Sequence, residues 1–437
     1  TLRLIEETRV QGIEMSGTKG GDSFYVPDGN FTTVNNVTTV EWNHTENLIR
    51  AAASKLYAAV HLVLTTGSVS DMSLNPIVST DVVLLEQDDH LSPIITNVTI
   101  DFGTKLMYLD VSETLDITPL DMFVNLSSMY IANTTGDQFV SLDGAALQPV
   151  DTYRVTLTIT EEQKLKAAAA SATEPYGDEV PTLFELFRGA LRDVAGNIMD
   201  TIVGMSILEL PDSIPPQIVT ATINYSTGIM QLLGDESILA VPSTSVVTSD
   251  ISIVNDDITL SGAITLEQSL VTPISSQSVT IIITEVQRSR GVLISGTPGG
   301  DNTSTFLHFS SASVQDVFGN PINDTIIKLV EYPDVVVPSI INVKLFFDGG
   351  RLEITCDETI LTQSIVVSNI YLANSTSSHD VQLTGSSVAP PSNVDGHDNV
   401  TITILLPESH RVSALLLSSQ RLTTGERKVG DGTPLVL

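Results

Sequence analysis

The side chains in this sequence with the best claim to chemistry are acids that recur at fixed spacing: Glu113, Asp193, Glu209 and Asp212, then Glu236, Asp316, Glu331 and Asp334, with Asp71, Glu86, Asp89 and Glu358 as further members. Hard cations such as Ca2+ take several oxygens from carboxylates and carbonyls, so acids gathered at a domain junction could stiffen an array by binding calcium. A purely local role competes with this: the Asp of a D-x-x-G-N turn can accept hydrogen bonds from its own loop while the Gly supplies a positive φ. There is no D-x-D-x-D-G loop to decide between the two. Histidines fall at His44, His61, His90, His308, His379, His397 and His410, none repeating and none at H-x-x-x-H spacing. Neither a G-x-S-x-G elbow nor a phosphate-binding G-x-x-x-x-G-K-[ST] loop occurs. Carboxylates for glycoside hydrolysis need not lie close in sequence, but nothing selects a pair. No catalytic residue and no enzyme activity is expected.

Composition narrows the classes further. The 437 residues carry Asp+Glu 52 against Lys+Arg 20, a net charge of -32. Such a surface repels phosphate backbones and anionic lipid, so no nucleic-acid partner is expected. Aromatics make up only 5% and the apolar positions are dominated by Val, Ile and Leu, which suit pleated, half-buried surfaces. The lone cysteine, Cys356, excludes an internal disulfide framework and is expected to be a small buried core residue. No basic start with an apolar stretch and no long apolar run marks a signal peptide or a membrane span. The acceptor pattern N-x-S/T opens at Asn30, Asn36, Asn43, Asn97, Asn125, Asn133, Asn224, Asn302, Asn323, Asn374 and Asn399, which is 11 of the 20 asparagines. That density predicts covalent N-glycans, a secretory route and an extracellular or cell-surface location.

Self-similarity organises the whole chain. Pro93-Ile-Ile-Thr-Asn-Val98 recurs at Pro216 and again as Pro338-Ser-Ile-Ile-Asn-Val343, steps of 216 − 93 = 123 and 338 − 216 = 122. The same steps relate Ser112-Glu113, Asp235-Glu236 and Asp357-Glu358, and also Asp71-Met-Ser-Leu-Asn75, Asp193-Val-Ala-Gly-Asn197 and Asp316-Val-Phe-Gly-Asn320. Within each copy the apolar residues alternate, as in Val155, Leu157 and Ile159 or Leu352, Ile354 and Cys356, the mark of a strand with one buried face. Thr160-Glu-Glu-Gln163 and Thr284-Glu-Val-Gln287 fit a capping box and predict a short helix after that strand.

These observations predict an all-β chain of tandem Ig-like β-sandwich repeats of about 122 residues each. The expected domains are residues 1–93 (a partial, C-terminal half repeat), 94–216 and 217–338 (whole repeats), and 339–437 (a repeat lacking its last strand). Gly17-Thr-Lys-Gly-Gly-Asp22 matches Gly296-Thr-Pro-Gly-Gly-Asp301, which places the start in mid-repeat, and a 34-residue insertion then holds three acceptor asparagines and Trp42. Leu48, Ala52, Leu56 and Ala59 within it have helical spacing.

The Pro-initiated first strand, the S/D-E element (VSE, GDE, CDE) and the turns DVAGN and DVFGNPI together resemble the bacterial-type Ig-like domains arrayed in surface adhesins and cell-surface filament proteins, over most of residues 94–437. The resemblance implies a structural or adhesive module. The first copy departs from the pattern by reading DMSLN, without the glycine, and the glycan acceptors are not a bacterial feature.

The expectation is a structural subunit of an extracellular, glycosylated filament whose partners are copies of itself. The strand-deficient third repeat would be completed, head to tail, by a strand from about Ile77 to Glu86 of a neighbour. The alternative is a cell-surface adhesin or glycan-binding array, calcium-stiffened, with Trp42 as its sugar platform.

Overall fold

The computed structural model of the chain describes residues 61–83, 85, 87–118, 123–134, 139–258, 260–375, 380–390 and 399–418, together with the backbone of five strands before residue 42. Those five are β1 to β5 (Leu2–Leu4, Ile13–Ser16, Ser23–Tyr25, Asn30–Val34 and Val37–Glu41). Trp42, Asn36, Asn43, Glu86, the proposed helix after Thr45 and the final segment from residue 419 lie outside the described residues. The architecture is all-β. The chain divides into two compact units, Thr1–Ile214 with Val317–Asn320, and Pro215–Asp316 with Pro321–Leu437.

In the first unit, β6 (His61–Leu64), β7 (Val69–Asp71) and β8 (Thr80–Val83) precede a complete sandwich. One of its sheets runs β13 (Ala146–Leu147), β14 (Thr152–Thr158), β10 (Leu106–Leu115), β9 (Ile95–Asp101) and β17 (Leu208–Leu210), and the other runs β12 (Val140–Ser141), β11 (Met129–Ala132), β15 (Leu183–Leu186) and β16 (Ile202–Ser206). Strict alternation builds the core, since successive residues of a strand face opposite sides. Val98, Ile100, Leu109 and Leu157 from one sheet meet Ile131, Phe184 and Leu186 from the other, all with no exposed surface.

The second unit repeats that element order twice. β18 (Ile218–Asn224), β19 (Ile229–Ile238), β20 (Ile251–Val254), β21 (Ile264–Thr265), β22 (Leu270–Val271), β23 (Ser276–Ile282), β24 (Phe306–Phe309) and β25 (Thr325–Tyr332) form one sandwich. Here β25 serves both faces: its first half pairs with β24 and its second half runs parallel to β18, where the preceding copy uses the separate strands β16 and β17. The third copy holds β26 (Ile340–Phe346), β27 (Arg351–Ile360), β28 (Tyr371–Leu372), β29 (Val381–Gln382), β30 (Ser387–Val388) and β31 (Asn399–Leu405). Leu352, Ile354, Leu383 and Ile404 centre its core, which Cys356 joins at 6% exposure. Burial, first of all, pushes the Cys356 thiol above its ordinary value, as befits a packing residue rather than a nucleophile.

A short helix follows the same strand in three copies: α1 (Glu161–Ala169), α2 (Glu285–Leu293) and α3 (Glu408–Leu417). The first two start with a reciprocal capping box. Thr160 Oγ1 accepts from Gln163 N while Gln163 Oε1 accepts from Thr160 N, and Thr284 and Gln287 do the same. The two glutamines are also buried, and each amide nitrogen donates to two carbonyls, one at a strand end and one in the turn after it: Gln163 to Ser141 and Asp143, Gln287 to Thr265 and Glu267. α3 has Pro407 at its N-cap position and so no side-chain cap.

Candidate functional site

In each of the copies that start at β9, β18 and β26, the entry to the first strand is pinned to the second strand, and the S/D-E element does the pinning. The ladder register shifts at that element in every copy, so backbone groups there need other partners. Ser112 Oγ accepts from Ile94 N, Asp235 Oδ1 from Gln217 N and Asp357 Oδ1 from Ser339 N, each paired with a return bond from its own N–H to the carbonyl of that residue. The first residue of the motif is thus accounted for by the fold. The glutamate that follows takes no part in this pinning.

In the first unit Glu113 converges with two other acids. One carboxylate oxygen from each of Asp89, Glu113 and Asp193 lies within 4.8 Å of the other two, with Asp193 fully buried. Asp193 is held by its own turn: Asn197 N donates to Oδ1 at 2.8 Å and Asn197 Nδ2 to Oδ2 at 2.9 Å, with Gly196 at φ +93°. Asp71 is held in the same way by Ser73 and Asn75, and its pKa is lowered mainly by the Asn75 side chain. In that turn Leu74 takes the glycine position at φ +66°. The local Asx-type role of the D-x-x-G-N aspartate is therefore present, and in the first unit it coexists with a carboxylate triad of the kind a hard cation accepts.

The other acids expected to act as ligands do not join that triad. Glu209 is consumed by the chain after α1, accepting from Thr182 N and Oγ1 at 2.7 Å and from Ala172 N at 3.0 Å. Glu331 holds the equivalent position, accepting from Tyr225 Oη, Thr305 Oγ1 and Gly296 N. Burial, reinforced by the Glu331 charge, drives the Tyr225 hydroxyl far above its usual range, so it remains a donor. In the second unit Glu236 is 6% exposed and Asp316 is fully buried, with a β-bridge from Ile238 to Asp316 matching that from Leu115 to Asp193.

Asp212 and Asp334 are also ion-paired, each to a base, and those bases are a signal the acid-centred reading passed over. The fourth residue of each of the three described helices is basic: Lys164, Arg288 and Arg411. Lys164 Nζ lies 2.7 Å from Asp212 Oδ2, the two side chains being 1% and 0% exposed, and Phe318 covers the ammonium at 5.5 Å. Arg288 reaches further. Its guanidinium pairs with Glu285 on its own helix, with Asp334 in the segment after β25, and with Glu358 on β27 of the following sandwich, while Glu285 also accepts from Thr359 N at 2.7 Å. Burial opposes the charge on Arg288, but Glu285 and the other acids outweigh it and keep the group firmly protonated. Asp334 is likewise held below its usual range against the cost of burial, chiefly by the Val336 N–H and then by Arg288. Burial pushes Glu358 the other way, above the ordinary Glu value. Arg411 bonds Phe347 O and Glu408. A basic residue recurring in a chain with only 20 of them was the available clue.

None of the described glycan acceptors is fully buried. Asn97, Asn125, Asn302 and Asn323 are exposed, and Asn133, Asn224, Asn374 and Asn399 are half-buried. Asn30 lies in β4, for which only the backbone is described. Among the described residues no helix is long and apolar enough to cross a membrane.

No protein-family model and no curated protein matches this chain. Solved structures with some similarity include the titin domains Z1Z2 in complex with telethonin, 10% identical, covering 56% of this chain and 100% of that one at a TM-score of 0.15. A marsupial T cell receptor is 11% identical, covering 72% and 92% at 0.14, and the D00-D0 domain of intimin is 8% identical, covering 55% and 98% at 0.15. At such scores the likeness carries no functional argument.

Proposed function

We propose that the chain is a non-enzymatic structural subunit of an extracellular, glycosylated filament or surface appendage, whose copies join head to tail by strand complementation. The observation that carries this reading is the open edge of the third sandwich. β9 and β18 each have a parallel neighbour, β17 and β25, whereas β26 pairs with β27 alone among the described residues. Ile340 on β26 is 59% exposed, while its counterparts Ile95 and Ile218 are 8% and 6% exposed. Such an edge presents backbone donors and acceptors beside apolar side chains, which is what an added strand satisfies. The Arg288 joint adds support, because it fastens one sandwich to the next as an extended fibre requires. The test is negative-stain electron microscopy of native material, with intact mass before and after glycosidase. Regular fibres with a large mass loss are expected.

Isolated rods would instead favour the second reading, an adhesin or glycan-binding array. The observation on its side is the Asp89, Glu113 and Asp193 triad, where calcium would rigidify the entry to the first complete sandwich. On that reading millimolar Ca2+ raises the melting temperature of the wild type but not of Glu113→Gln. An equal response of both proteins would remove it.

A further inference from the structure

We infer that the contact between the second and third sandwiches is a proton-operated joint, held shut in mild acid and released towards neutral pH. Polar contacts cross it at two adjacent residues of β27. Arg288 Nη2 on α2 donates to Glu358 Oε2 at 3.2 Å, and Glu285 Oε1 on the same helix accepts from Thr359 N at 2.7 Å. The other bonds of Arg288 stay within the second sandwich and the segment that follows it: Nε to Glu285, and Nη1 to Asp334 and to Tyr225 O. Three carboxylates therefore meet one guanidinium, and Glu358 is the one that belongs to the third sandwich. Apolar packing does little to hold the contact, since Leu293 and Leu361 beside it are 48% and 53% exposed.

Crowding makes this joint titrate. Carboxylates that share a site cannot all ionise at the ordinary cost, so one of them takes up a proton more readily. The hydrogen bonds select Glu358. Asp334 is also held by Val336 N at 3.0 Å, and Glu285 by Thr359 N and two guanidinium nitrogens, whereas Glu358 meets the guanidinium through one oxygen at 3.2 Å. The direction found for Glu358 agrees: burial first, and then the Asp334 charge, raise it against the pull of Arg288. Of the other charges nearby, Arg290 of α2 lines the cavity beside Glu358, and Asp357 is engaged by Ser339 N at 2.6 Å. Protons have access, because that cavity, of about 190 Å3, lies against Arg288, Asp334 and Glu358, whose side chains with Glu285 are between 10% and 28% exposed. The pair of Lys164 and Asp212, with its base at the same helix position, is sealed at 1% and 0% exposure. Neutral Glu358 still accepts from Arg288 and gains an O–H to offer Asp334. Ionised, it adds a like charge beside Asp334 and Glu285. Closing the joint therefore takes up a proton, and acid favours the closed form.

The experiment is amide hydrogen exchange of the full chain, read by mass spectrometry and corrected for the intrinsic effect of pH on exchange. Its probe is the Thr359 amide, which donates across the joint. In the wild type, protection of the peptide holding Thr359 is expected to fall at least about 5-fold between about pH 5 and about pH 8, the lower end of coupling between two sites. Protection of β31, inside the third sandwich, stays constant, which separates release of the joint from unfolding of the domain. Glu358→Gln mimics the neutral acid, because its amide can accept from Arg288 and donate to Asp334. This variant should show the acid level of protection at both pH values. Equal protection of the Thr359 peptide at both pH values in the wild type would overturn the inference. So would a Glu358→Gln chain that loses protection as the wild type does, or a wild type in which β31 loses protection in parallel.

Discussion

The buried pair of Lys164 and Asp212 should be among the costliest contacts in the first unit to break, and the structure fixes the comparison that proves it. With side chains 1% and 0% exposed and 2.7 Å apart, neither charge has water to fall back on once its partner is removed. Asp212 also accepts from Ile214 N at 2.9 Å, so Asp212→Ala removes a backbone cap as well. Leaving one partner of a buried pair uncompensated costs about 3–5 kcal/mol. In a unit of this size that lowers the melting temperature by about 10 °C. The internal control is Arg188 with Asp200, 3.2 Å apart but 70% and 75% exposed, where Asp200→Ala should cost less than about 1 kcal/mol. Urea unfolding followed by circular dichroism measures both. The double variant Lys164→Met/Asp212→Leu should recover most of the loss, because packed apolar groups carry no desolvation cost. If Asp212→Ala proved no more damaging than Asp200→Ala, the ion pair would be incidental and the helix would be held by its cap and packing alone.

Further expectations concern the caps, a strained turn and the Arg288 joint. Thr160→Ala and Thr284→Ala should each cost about 1 kcal/mol by urea midpoint, whereas Pro407→Thr should stabilise the third sandwich by a similar amount, since α3, unlike α1 and α2, lacks a side-chain cap. Leu74→Gly should stabilise by about 1 kcal/mol, as a left-handed φ of +66° costs a leucine what it does not cost a glycine; no gain in calorimetry would show the turn to be unstrained. At the joint, a Glu358 value raised on folding means that proton uptake favours the folded state: its contribution is full below the unfolded value and fades as pH rises through the folded one. Wild type should therefore gain stability relative to Glu358→Gln as pH is lowered from neutral towards the ordinary Glu value of 4.5. Asp334, with its value lowered, contributes in the opposite sense, fully above the ordinary Asp value and less as pH falls through the folded one. A pH-independent difference in urea midpoint between wild type and Glu358→Gln would refute the assignment to Glu358.

What the sequence disclosed was whatever repeats locally. Period-two alternation placed Val155, Leu157 and Leu352 in the core, the T-x-x-Q boxes marked the starts of α1 and α2, and the D-x-x-G-N aspartate was readable as the clasp of its own turn, because each depends on residues a few positions apart. What stayed hidden was pairing across the sandwich. Asp212 and Lys164 are 48 residues apart, and Arg288 and Glu358 are 70 apart, so nothing in their local spacing says that they meet. The acids drew attention because they are numerous, yet the scarcer bases assign them: Lys164 takes Asp212 and Arg288 takes Asp334. Glu209 and Glu331 were hidden for another reason, since their partners are mostly backbone N–H groups and hydroxyls that no motif records.

The parallel pairing of the first and last strands, β9 with β17 and β18 with β25, has a mechanical consequence. In each complete sandwich the chain enters at the start of one of these neighbours and leaves at the end of the other. Tension applied along the chain therefore pulls the two strands past each other in shear, so their ladder bonds must yield together rather than unzip one at a time. Pulling on the two ends of residues 217–338 should meet a higher rupture force than peeling β22 from the outer edge of the same sheet, and equal forces in a single-molecule experiment would contradict this. A strand that closes the core also sets the tensile strength of every complete link.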